Sequence, residues 1–148
     1  MRLAGFIREN IEQVLDQWEK FAATIPPARH LDKDGRRDHA SQMLIVVAND
    51  LDQSQTDRER ADKSKGLGAQ HAEETAAEVH GSAREAAGFS INETISEFRA
   101  LRSSVIALWF ANTPTLRASE LEDLNRFNEA IDQAVTESIA RYATEKAR

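Results

Sequence analysis

The chain has 148 residues, 41% hydrophobic and 30% charged, which suits one globular domain with its own core and excludes a disordered polypeptide. It contains no cysteine, which excludes a disulfide scaffold, thiolate metal sites, iron–sulfur clusters and a cysteine nucleophile. Its 19 Lys and Arg against 25 Asp and Glu leave a net charge of -6, which argues against nucleic acid or an anionic membrane surface as the main partner, because both require a cationic face.

Six glycines and three prolines interrupt long stretches rich in Ala, Glu, Arg and Gln. These side chains lose little rotamer freedom in a helix, so the predicted fold class is all-α: a bundle of about five helices, with a globin-like arrangement among the options, ending in a long C-terminal helix. Charged residues arrive too early for a signal peptide and no apolar run is long enough to span a membrane, so a cytoplasmic protein is expected.

In chain order, Ile7, Ile11, Val14, Leu15, Trp18, Phe21 and Ile25 recur every three or four residues and predict one amphipathic helix over 6–25, stopped by Pro26-Pro27. A polar connector over 28–36 follows. Ala40, Met43, Leu44, Val47 and Leu51 again have helical spacing. The β-branched run Leu44-Ile45-Val46-Val47 is read as helix too, since a lone strand would have no partner. Residues 49–68 offer charges at helical spacing but little to bury, as a short solvated helix or a loop, with Gly66 and Gly68 allowing a turn.

A helix over 69–87 carries the small-residue stripe Ala72, Ala76, Val79, Ala83 and Ala86, against which a neighbouring backbone can come close, and Gly88 caps it in the left-handed region. Ser90-Ile91-Asn92-Glu93 is a capping box, and the helix it opens has the face Ile91, Ile95, Phe98, Leu101, Val105, Leu108 and Trp109, ending near Pro114. The start signal repeats at Ser119-Glu120-Leu121-Glu122. From there Leu121, Leu124, Asn128, Ile131, Val135, Ser138 and Tyr142 step by three and four like a heptad seam, beside a second stripe of Leu124, Phe127, Ile131, Ala134 and Ile139. Two stripes let one helix pack into its own bundle and against a second protomer. With no terminating signal before Arg148, a helical connector into a further module is one expectation and simple fraying the other.

The residues carry no catalytic signature. None of His30, His39, His71 and His80 has a Glu three positions before it, and there is no His-Glu-x-x-His zinc helix, phosphate-binding glycine loop or nucleophile elbow. An enzyme is not expected, nor is a metal site. Haem is weighed because an all-α chain of this length is globin-sized and His80 flanks an apolar stripe, but a lone histidine there is more often structural. Trp18 and Trp109 are read as core anchors. The candidate regulatory site is His80 and Arg84 on one helix with Glu97 and Arg102 on the next. Charges at the edge of a buried stripe need partners, so the alternatives are a salt-bridge network between the helices and a ligand-responsive site.

At His80-Gly81, Arg84, Gly88-Phe89-Ser90, Glu97-Phe98-Arg99-Ala100-Leu101-Arg102 and Asp123-Leu124-Asn125-Arg126-Phe127-Asn128-Glu129-Ala130-Ile131-Asp132, the chain resembles the RsbRD-type N-terminal domain over most of its length. That family stands at the front of stress-signalling regulators related to the RsbT co-antagonists and of bacterial sensor histidine kinases. The resemblance implies a helical, cytoplasmic, dimeric sensory domain. It would signal through its C-terminal helix to a downstream kinase or regulatory output domain of a two-component or stress-response system, and the Asp123–Glu129 run favours the kinase-linked members. It supplies no ligand and no cofactor, and a non-haem globin-like relative among stressosome regulators weakens the case for haem. A small-ligand sensor and a stand-alone interaction scaffold are the alternatives.

Overall fold

A computed structural model of the chain describes residues 1–69 and 73–148, and of residues 29 and 30 the backbone alone. The described residues form seven α-helices and one 3-10 turn with no strand: α1 (Leu3–Glu9), α2 (Ile11–Ala22), the turn (Pro26–His30), α3 (Lys33–Leu51), α4 (Asp57–Ser64), α5 (Ala76–Ala86), α6 (Ile91–Ala111) and α7 (Ala118–Lys146). The all-α prediction and the long final helix hold, with more helices than the five expected.

The extra helices have local causes. The single helix expected over 6–25 is two, because the Asn10 side chain donates to the Phe6 carbonyl at 3.0 Å and draws the backbone out of helical geometry. The connector expected over 28–36 shortens, because Asp32 Oδ1 accepts from the Gly35 amide at 2.6 Å and starts α3 at Lys33. The charged stretch before Gly66 is helical, opened by a Thr56–Glu59 capping box. Gly66, at φ 73°, closes it: its own amide meets the Lys63 carbonyl and the next amide, of Leu67, the Asp62 carbonyl. Gly88, at φ 86°, ends α5 in the same way, with Phe89 N bonded to Arg84 O at 3.0 Å.

The β-branched run is helical as predicted. Met43, Leu44 and Val47 are buried while Ile45 and Val46 face outward. The start of the helix expected over 69–87, with His71 and Ala72, lies partly outside the described residues; α5 itself opens at a Thr75–Glu78 capping box. Its buried face is Ala77, His80, Gly81 and Arg84, turned away from the alanine stripe expected there. The close helix approach falls on Gly81, where a Cβ would lie 2.0 Å from the Ser138 carbonyl oxygen of α7. The face of α6 is turned likewise: Thr94, Glu97 and Ser104 are inside, and Ile91 is exposed. The box expected at Ser119 is not what opens α7. Glu120 reaches back to the Arg117 amide at 2.9 Å, so the helix starts at Ala118.

One apolar cluster joins α1, α2, α3, α6 and α7 through Phe6, Trp18, Leu44, Phe98, Trp109 and Phe127, among others. Both tryptophans are core anchors with satisfied indoles, Trp18 donating to the Glu97 carbonyl at 3.0 Å and Trp109 to the Met1 carbonyl at 2.9 Å. No helix among the described residues is long and apolar enough to cross a membrane.

Candidate functional site

Three of the four polar residues singled out in the sequence meet at one point. Glu97, nearly two turns inside α6, faces α5, and Arg84 grips both oxygens of its carboxylate, Nε to Oε1 at 2.8 Å and Nη2 to Oε2 at 3.2 Å. His80, one turn before Arg84, brings Nε2 to 3.1 Å from the same Oε1, close but out of line for a hydrogen bond. All three side chains are at most 2% exposed. Phe98 and His39 stand edge-on to the His80 ring at 5.4 and 5.8 Å, and the Arg84 guanidinium lies over Phe89 at 5.1 Å. Arg102 does not join them. It is half-buried on another side of α6, and its charge acts on Asp132 of α7.

The electrostatics follow from burial and pairing. Burial pulls the Glu97 carboxyl up, but His80 and Arg84 pull it down further, and it ends below the usual carboxylate range. Burial pushes the His80 imidazole below its ordinary value against the opposing pull of Glu97, and Arg84 adds to the depression. His39, about half buried, is lowered by burial and then by its neighbours His80 and Arg84. The cluster is thus a neutral imidazole beside a carboxylate–guanidinium pair, enclosed between α5 and α6. It can fix the two helices together and resists protonation of its histidines.

His80 does not suit haem. A proximal ligand needs its Nε2 facing an open slot, whereas here it faces a paired carboxylate and the ring is walled by Phe98 and His39. Among the described residues no group of three His, Asp or Glu side chains is placed to hold a metal ion.

The expected seam on α7 divides. Ile131 and Tyr142 are buried inside the chain's own bundle, Tyr142 donating to the Phe89 carbonyl at 2.5 Å. Leu124 and Val135 are partly buried against the same core, Asn128 is intermediate, and Leu121 is half exposed. Only the first turn of the seam therefore offers a free apolar side chain; Phe110 near the end of α6 and Leu116 on the link to α7 are exposed as well.

Sequence reasoning missed the ties that hold α7. Asp123 takes two bonds from Arg2, both 2.7 Å, and one from the Leu3 amide at 3.1 Å. Arg126 caps the end of α3 by donating to the carbonyls of Leu51 at 3.0 Å and Asp50 at 2.5 Å. Glu129 accepts from Arg60 of α4 at 3.0 Å. These three residues sit at spacings of three, a face that charge patterning alone marks as solvated. A buried Glu19–Arg36 pair between α2 and α3 was missed for the same reason. No family model, curated protein or solved structure matches the chain.

Proposed function

We propose that the chain is the sensory input domain of a bacterial signal-transduction protein, a sensor histidine kinase by preference, which dimerises and passes its state to an output module through α7. The observation that carries this reading is the set of ties on one helix. Asp123 holds the N-terminus, Arg126 the end of α3, Glu129 helix α4 and Tyr142 the turn into α6, while the backbone at Ser138 packs directly against α5 at Gly81. A displacement of any of these elements loads α7, which is what a lever between a bundle and an output module requires. The resemblance to RsbRD-type domains supports the same reading. The exposed Phe110, Leu116 and Leu121 at the α6–α7 turn are the surface proposed to meet a second protomer.

An insertion series tests the lever. With the chain fused in helical continuity after Lys146 to the dimerisation and catalytic modules of a histidine kinase, each residue added at the junction rotates the output by about 100°. Autophosphorylation should rise and fall with a period of about 3.6 residues. A rate indifferent to the insertions would overturn the reading. A stand-alone scaffold has no observation in its favour.

A further inference from the structure

Helix α4 is held to the bundle differently from the other described helices. Each of those buries several side chains, whereas none of the eight residues of α4 is buried, and its single apolar side chain, Ala61, is exposed. The hydrophobic effect that docks the other helices therefore contributes almost nothing here. What crosses from α4 to its seat is charge. Arg60 pairs with Glu122 and, at 3.0 Å, with Glu129 of α7, and Lys63 pairs with Asp50 near the end of α3.

These contacts are open to solvent. The Arg60 and Lys63 side chains are 20% and 21% exposed and Glu122 is 48% exposed, against at most 2% for the Arg84–Glu97 pair between α5 and α6. A solvated pair of this kind shifts an equilibrium by about twofold to fivefold, and salt screens it, since charges are felt over about 10 Å at 0.1 M and about 3 Å at 1 M. Once detached, an eight-residue helix is too short to persist in water, where about 12–15 residues are needed. Undocking and melting of α4 are thus one local event, well below global unfolding in free energy.

We propose that α4 is a charge-latched lid whose open fraction is set by ionic strength. Its Glu59 and Lys63 form one side of a half-open cleft of about 380 Å³, with Met43, Val47, Ala130 and Ala134 on the other walls. Opening bares that apolar surface along α7 and releases Glu129. The lid rests on the input-domain reading for its purpose, giving the lever a physical input, but not for the opening itself.

The test is amide hydrogen exchange of the ¹⁵N-labelled full chain in KCl at about 0.1 M and about 1 M, with sucrose of matched osmolality added to the lower salt as a control. Amides 60–64 should exchange about tenfold faster at the higher salt, while Leu101 and Val105 in α6 change by about twofold at most. Sucrose should not speed exchange. Arg60→Met, which removes two of the three pairs, should speed α4 about tenfold at low salt and flatten its salt response. Glu122→Gln should do the same more weakly. Protection in α4 equal to that in α6, no response to salt, an equal response to sucrose, or acceleration of α4 and α6 in step would each overturn the proposal. So would an Arg60→Met chain that exchanges like the wild type or fails to fold, because a lid is dispensable to the bundle beneath it. Since exchange is read on the isolated chain, failure of the lid leaves the lever to be judged by the insertion series.

Discussion

Arg84 and Glu97 form a two-bonded ion pair in which both side chains are at most 2% exposed, joining α5 to α6. Removing one partner strands the other charge in the interior, so Arg84→Ala and Glu97→Ala should each lower stability by about 3–5 kcal/mol in urea titrations. Replacing both with apolar residues of similar size, Arg84→Met with Glu97→Leu, should recover most of that loss. A double variant as unstable as the sum of its parts would show that the two side chains act independently and do not compensate each other.

The histidines set the direction of the pH dependence. His80 and His39 both lie below the ordinary value of 6.5, so the unfolded chain takes up protons that the folded chain refuses. Their neutral forms favour the fold above about pH 6.5, and stability should fall as pH drops below it, by up to about 1.4 kcal/mol per pH unit for each histidine. Glu97 acts in the same direction in a lower window: its depressed carboxyl stabilises above its ordinary value of 4.5, and that contribution is lost as pH falls from there through its lower folded value. Urea midpoints between about pH 8 and pH 5 should therefore slope less in His80→Gln than in the wild type. Identical slopes would place the titration elsewhere.

Gly81 tests the α5–α7 crossing. A methyl group there meets the Ser138 carbonyl at 2.0 Å, and a backbone atom cannot swing aside, so Gly81→Ala should cost about 1–3 kcal/mol despite the better helix propensity of alanine. Gly88→Ala has open space but a left-handed backbone, and should cost about 1–2 kcal/mol through strain alone. Thermal melts read both costs and ¹⁵N amide spectra separate the two, because only Gly81→Ala should also disturb the amide shifts of α7 around Ser138.

Arg36 ties α2 to the 3-10 turn. It donates to Glu19 and to the carbonyls of Ala28 at 2.9 Å and Leu31 at 2.6 Å. A lysine keeps the charge but not the planar fork, so Arg36→Lys should lose most of the stability that Arg36→Ala loses, read by urea denaturation. Full retention by the lysine would show that charge alone suffices.

Periodicity made the helices legible, and the capping box at Ser90 and the glycine at 88 marked their ends because those signals act within a few residues. Where a side chain competed with the backbone, as Asn10 and Asp32 do, the boundary moved. The convergence of His80, Arg84 and Glu97 was foreseeable from the need of interior charges for partners, but Arg102 was not separable from them, since its side of α6 depends on how far the helix is turned to bury Glu97 and Ser104. The roles of Asp123, Arg126 and Glu129 depend on which elements lie across from them, a tertiary fact with no local signature. Ile131 and Tyr142 fit a heptad seam and a bundle core equally well by spacing, and the bundle took them.

The claim that this chain is a dimeric input domain is tested most directly by sedimentation equilibrium across a wide concentration range. The wild type should fit a dimer. Phe110→Glu with Leu121→Glu, both on exposed positions, should shift it to a monomer with unchanged helix content, whereas Ile131→Glu is unsuitable because it would break the core. A wild type that stays monomeric at the highest concentration would contradict the account.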